Sequence, residues 1–180
     1  MAFAASLGTL VMGGLLVLIV EVNKEQRRGV TDCTLEIQAG LAQDKLTRII
    51  HSMSAGESVI LSDPITTGST FYRRVILAEG QAPNYPREEL IYVTNTFTLT
   101  HDQNRSTTGD EVVLVKTNAM YLLRNCYFYI GMKNDGSPDN SAVNVYLEFD
   151  DNFFAGRKNT SRQAIKTKVT RNFTVKMRNN

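Results

Sequence analysis

The sequence predicts an α+β fold: a long N-terminal helix, apolar in its first half and amphipathic in its second, packed on an antiparallel β-sheet domain. Three observations carry this. Residues 1–20 hold no charged side chain; residues 21–53 hold no proline and repeat apolar residues every three or four positions; and from Val59 onward the apolar period falls to two. A helix followed by sheet strands, rather than alternating with them, is the α+β pattern.

The first element is residues 2–20, dominated by Leu, Val, Ala and Gly. As a helix it spans roughly 28 Å, close to the hydrocarbon thickness of a bilayer. A cleaved secretory signal would carry basic residues before the apolar run and a small-residue cut site before a polar start. Neither is present, since Val17, Leu18, Ile19 and Val20 lead directly into Glu21. The segment therefore reads as a retained membrane anchor. Ala5, Thr9 and Gly13, with Ala4 and Gly8 beside them, follow the four-residue spacing that lets helices approach closely in lipid. The candidate membrane and assembly residues are Phe3, Leu7, Gly8, Leu10, Val11, Gly13, Leu15, Leu16, Leu18 and Ile19.

The helix is expected to continue through residues 21–54. Val30, Cys33, Ile37, Leu41, Leu46, Ile49, Ile50 and Met53 give it an apolar stripe that needs the sheet as partner, and charged residues fill much of the rest. Residues 55–180 then form the β-rich domain. Strands are expected at 71–78, at 112–115, at 120–130, over the alternation Val143, Val145, Leu147 and Phe149, and over Ile165, Val169, Phe173, Val175 and Met177. Ile91, Val93, Phe97 and Leu99 read as one further alternating run. Turn chemistry marks Asp63-Pro64 and residues 80–86, 105–110 and 134–139. One face of such a sheet is buried and the other solvated.

Several function classes are argued against. A net charge of +2 over 180 residues is too small to imply a nucleic-acid partner, and Tyr and Phe look scattered rather than gathered into a stacking platform. On the last strand Arg162, Lys166, Lys168, Lys176 and Arg178 read as a solvated or aggregation-deterring face. There is no G-x-S-x-G, H-E-x-x-H, Walker loop or G-x-G-x-x-G string. His51 lies 18 residues from Cys33, roughly 27 Å along one helix, too far to activate it. No C-x-x-C pair exists; Cys33 and Cys126 read as small buried residues, or as one disulfide in an oxidising compartment. The oxygen-rich residues Asn134, Asp135, Asp139, Asp150, Asp151 and Asn152 read as turn composition rather than a calcium site, since their spacing fits no EF-hand. The expectation is a non-enzyme with no cofactor, no metal and no small-molecule substrate.

The order of parts resembles type IV pilin-like proteins. The string Met-Ala-Phe-Ala-Ala-Ser-Leu-Gly-Thr-Leu-Val-Met-Gly-Gly-Leu-Leu is similar to the membrane half of their class III signal, just after its Phe-Thr-Leu-Val-Glu core. The C-terminal Asn172-Phe-Thr-Val-Lys-Met-Arg-Asn179 is similar to the last strand of minor pseudopilins of type II secretion. Asp44 to Arg48, Arg73-Arg74-Val-Ile-Leu-Ala and Leu90-Ile-Tyr-Val resemble the J-type minor subunits. The family's glycine at the peptidase cut, the aromatic residue methylated after it and the following glutamate have no counterpart here, and Met1 falls one place beyond that glutamate. The expectation is an N-terminally truncated sequence, and no processing residue is carried over.

The resemblance implies a structural, minor subunit of a type IV pilus or a type II secretion pseudopilus, assembling through its N-terminal helix. Its partners would be membrane lipid and other pilin-like subunits. It would be a single-pass protein of the bacterial inner membrane, with the C-terminal domain periplasmic or on an extracellular filament. Lys24, Arg27 and Arg28 alone would place that domain in the cytoplasm by the positive-inside rule; the extracytoplasmic placement assumes further basic residues upstream of Met1. The alternative is a membrane-tethered extracytoplasmic binding domain acting alone through the loops at 80–86 and 134–139.

Overall fold

A computed structural model describes residues 2–54, 59–78, 87–104, 109–151 and 168–178, with helix side chains described from Gly8 onward. Among these residues one uninterrupted helix, α1 (Ala2–Ser52), precedes eight strands. These are β1 (Ile60–Pro64), β2 (Tyr72–Ala78), β3 (Arg87–Val93), β4 (Thr98–Asp102), β5 (Glu111–Lys116), β6 (Tyr121–Tyr129), β7 (Ala142–Asp151) and β8 (Lys168–Lys176). All pair antiparallel in one sheet of order β5-β4-β3-β2-β6-β7-β8, with β1 on β2. The expected α+β class, a long helix on an antiparallel sheet, is what the chain adopts.

The sheet forks at β2. Residues 74–76 of β2 pair with β1 on one edge and β3 on the other. Tyr72, which pairs with Pro64 of β1, uses its other edge for Phe128 of β6, the one β2–β6 pair. So β3 and β6 share an edge of β2 and diverge from it. A long, regular pairing then carries β6 to β7 and β7 to β8.

Period-two patterning locates most strands correctly, and it fails in two places. The run over residues 91–99 is not one strand but two, β3 and β4, joined by a turn in which Phe97 has φ 51°. The turn changes which parity faces the core: Leu90 and Tyr92 point inward before it, and Leu99 after it. Ile91 and Val93, expected inward, are only half-buried. Asp63-Pro64, expected as a turn, lies inside β1. Asp63 takes φ 61° and interrupts the ladder between Ser62 and Pro64, so the turn chemistry makes a local irregularity in an outer strand. The expected turn at 134–139 is present, with Gly136 at φ 79°. The expected loop at 80–86 lies outside the described residues, as do Ile165, Arg162, Lys166 and the interior of 105–110.

The core lies between the second half of α1 and the inner sheet face. Leu35, Ala39, Ala42, Leu46, Ile50 and Met53 supply the helix side, and Leu123, Phe128, Val143, Val145, Leu147, Phe149, Val169 and Val175 much of the sheet side. The helix lies mainly across β8 and β7. Two alanines at the crossing allow close approach, since the spacing of packed elements follows the size of the residues between them. The far end is tied by backbone: Arg178 N–H donates to Met53 O at 2.8 Å, and His51 Nδ1 donates to Lys176 O at 2.9 Å.

This corrects the expected stripe. Leu46, Ile50 and Met53 are buried and Ile49 half-buried, but Val30, Cys33, Ile37 and Leu41 are exposed. At 100° per residue the exposed set lies opposite the buried one. The second half of the helix therefore carries two apolar faces, and the sheet covers only one.

Candidate functional site

The candidate surface is the uncovered helix. Among the described side chains Thr31 is the first buried one along α1, so the helix meets the sheet domain from there on and residues 8–30 project beyond it. Of the sequence-derived assembly residues, Gly8, Leu10, Val11, Gly13, Leu15, Leu16, Leu18 and Ile19 are all exposed, Leu10 at 77%. The side chains of Phe3 and Leu7 lie outside the described residues. A Cβ placed on Gly8 or Gly13 would meet nothing within 4 Å. Neither glycine is thus explained by a contact among the described residues. Each exposed Leu, Val or Ile forgoes about 1.5–3 kcal/mol relative to burial, so an apolar run of this kind gains by covering from another dry surface.

Among the described residues no helix is long and apolar enough to cross a membrane. Residues 8–20, the charge-free stretch whose side chains are described, span about 20 Å of helix, against a hydrocarbon core of about 30 Å. The anchor expected from sequence reaches full length only by including residues 2–7.

Charge begins abruptly where the apolar run stops. Glu21 pairs with Lys24 at 3.4 Å and Glu25 with Arg28 at 2.6 Å, each one turn apart. Lower down, Glu36 pairs with Arg171 of β8 and Lys45 Nζ donates to Leu114 O at 3.1 Å. These contacts join the two flanks of the helix to the sheet domain. Between them runs the second apolar stripe, where Gly29 opens a shallow groove lined by Gln26, Val30, Cys33 and Thr34.

The two cysteines occupy opposite environments, and the disulfide considered from sequence is not formed. Cys33 is exposed and free; Cys126 is free and fully buried, and burial pushes its thiol far above the ordinary range. A neutral, enclosed thiol is a poor nucleophile. His101 Nε2 lies 2.5 Å from Glu88 Oε2 in the partly buried space between β4 and β3. Among the described residues no group of three or more His, Cys, Asp or Glu is placed to hold a metal ion. Asp135 and Asp139 each accept hydrogen bonds from the backbone and hydroxyl of the serine two residues on, Ser137 and Ser141. Those bonds hold both carboxyls below their ordinary pKa and commit them to closing turns.

The outer sheet face holds a feature that the sequence pattern did not reveal. Phe71, Tyr127, Tyr129 and Tyr146, read as scattered, converge there. Tyr127 stacks on Tyr146 with centroids 4.4 Å apart, and Phe71 meets Tyr127 and Tyr129 edge-on at 5.0 and 5.1 Å. Glu148 closes the array, accepting from Asn125 at 2.8 Å, from Tyr146 at 3.2 Å and from Lys168 at 2.8 Å. Burial pushes its carboxyl up, but Lys168, Asn125 and Tyr146 together outweigh this and lower it. Lys168, one of the expected solvated basic residues, is thereby engaged in an ion pair. The ring set is assembled from the approach to β2, β6 and β7; cross-strand registers such as Tyr127 opposite Tyr146 would have been needed to find it.

Neither a protein-family model, nor a curated protein, nor a solved structure matches the chain.

Proposed function

We propose that the chain is a structural, non-catalytic subunit that assembles through the apolar first half of α1, in the manner of pilin-like proteins. The observation that carries this is the unbroken exposure of Leu10, Val11, Leu15, Leu16, Val17, Leu18, Ile19 and Val20, on a helix whose other half is cemented to a folded sheet. An apolar, charge-free helix exchanges readily between lipid and a bundle of like helices, because both surroundings are dry. The sheet domain is then a passenger held at the membrane surface or on the outside of an assembly.

Substituting Leu16→Lys tests the reading. The wild-type full chain is expected in the membrane fraction of producing cells and to co-purify with other copies or with pilin-like subunits in detergent. The substituted chain is expected to lose both properties while its sheet domain stays folded by circular dichroism. Wild-type chain recovered wholly in the aqueous fraction as a monomer would overturn the proposal.

A further inference from the structure

We infer that Lys45 of α1 shuts the free edge of β5 against strand pairing with β5 of a second copy of this chain. The contact lies in the sheet-bound half of the helix and is independent of the assembly reading above.

β5 ends the sheet. One edge pairs with β4 and, among the described residues, no strand pairs the other. Such an edge offers backbone donors and acceptors to any extended segment. Residues 111–116, Glu-Val-Val-Leu-Val-Lys, are of the kind that pairs readily: four aliphatic residues in a row, no proline and no net charge. Val112 and Val113 lie opposite His101 and Thr100, so they point to the two faces of the sheet, and both are exposed, at 47% and 50%. The outer strand β1 is interrupted from within by Asp63 and Pro64. β5 contains neither a proline nor a residue of positive φ.

The guard comes from the helix instead. Val115 pairs with Leu99 and Val113 with Thr100, so the register slips and Leu114 is left without a partner on β4. An extra residue of this kind is unpaired by the ladder and leaves backbone groups over. Lys45 Nζ donates to the Leu114 carbonyl at 3.1 Å. An acceptor in the middle of β5 is thereby held by an ammonium carried on another element.

Charge names the occupant that this contact excludes. Glu111 and Lys116 are exposed at opposite ends of β5, and neither has an ion-pair partner among the described residues. They lie opposite Asp102 and Thr98 of β4, an even number of positions apart, so they share one face of the sheet. An antiparallel second copy would set each Glu111 beside a Lys116, whereas a parallel copy would set acid on acid and base on base. The antiparallel pairing is centred on Val113 and Leu114. It would bring the two Lys45 ammoniums together, where like charges repel. Lys45 thus blocks the register that the two ends of β5 favour.

The test compares the full chain in detergent as wild type, Lys45→Met and Lys45→Arg, with sedimentation to read association and amide hydrogen exchange to read the edge. Methionine matches lysine in helix propensity and removes the ammonium; arginine keeps a cation that donates. Association through the apolar half of α1 is common to all three, so differences among them report the edge. Lys45→Met is expected to associate several-fold more strongly, with exchange at residues 112–115 slowed several-fold relative to wild type. Lys45→Arg should match wild type. Adding Val113→Lys to Lys45→Met restores a charge at the centre of the pairing and should abolish both effects. No added association of Lys45→Met, or association without slower exchange at 112–115, overturns the inference. So does association that survives Val113→Lys. Loss of the sheet's circular dichroism in Lys45→Met would overturn it as well, since Lys45 would then be holding the fold together rather than guarding an edge.

Discussion

The Tyr92 hydroxyl of β3 spans the fork in the sheet, lying 2.8 Å from the carbonyl oxygen of Leu123 and 2.7 Å from that of Arg124 on β6. The β6–β7 register slips at this point, between Leu123 and Asn125, so backbone acceptors there need a donor from elsewhere. Tyr92 supplies it from a buried ring. Tyr92→Phe keeps the packing and removes the donor, and is expected to destabilise the fold by about 1–3 kcal/mol. Chemical denaturation of the full chain in detergent checks this; a change within a few tenths of a kcal/mol would mean that water serves the two carbonyls equally well.

The two faces of α1 should respond differently to truncation. Leu46 is fully buried against the sheet, so Leu46→Ala is expected to cost about 2–5 kcal/mol. Leu41, one and a half turns earlier and half exposed, should cost under about 1 kcal/mol in the dilute, detergent-dispersed chain. Equal losses in the same denaturation experiment would contradict the assignment of faces.

How far the sequence carried the fold follows from these residues. The helix was legible because nothing in residues 2–52 breaks it and its apolar spacing is helical. Which stripe met the sheet was not, because Val30, Cys33, Ile37 and Leu41 are as apolar as the set that is buried, and Ala39 and Ala42 mark the true face only weakly. Strand positions were legible where one strand stood alone, as with Val143 to Phe149. They were misread over 91–99, where a short turn joined two alternating runs of opposite inward parity. The aromatic array was invisible because sheet pairing, rather than chain proximity, brings Phe71, Tyr127 and Tyr146 together. The apolar run over residues 8–20 was legible as a run, but its lack of cover among the described residues needed the packed structure to show where the sheet domain ends.

That array should show measurable coupling. A double-mutant cycle on Tyr127→Ala and Tyr146→Ala is expected to give an interaction of about 0.5–1.5 kcal/mol, the range for paired aromatic rings. Strict additivity in thermal or urea unfolding would mean that the stacked rings of β6 and β7 do no more than cover the strands beneath.

Alkaline pH should weaken the fold through Cys126 and Tyr92. Burial raises both above their ordinary values of 9.0 and 10.0, so the folded state holds protons that the unfolded chain releases. Their contribution is complete below about pH 9, then declines as pH rises, by up to about 1.4 kcal/mol per unit for each group. Unfolding free energies measured between pH 8 and 11 should fall along this course. Cys126→Ala should remove the part that begins near pH 9, and a stability flat across that range would contradict the burial of both groups.

The central claim is that residues 8–20 of α1 lie in a waterless environment while the sheet domain faces water. Cysteine accessibility tests it most directly, using Leu16→Cys and Thr47→Cys separately in a Cys33→Ser background, with a charged, membrane-impermeant maleimide applied to opened membranes. Leu16→Cys should stay unlabelled until the sample is denatured, whereas Thr47→Cys, exposed on the sheet-bound half of the helix, should label at once. Labelling of Leu16→Cys as fast as Thr47→Cys in native samples would contradict the account.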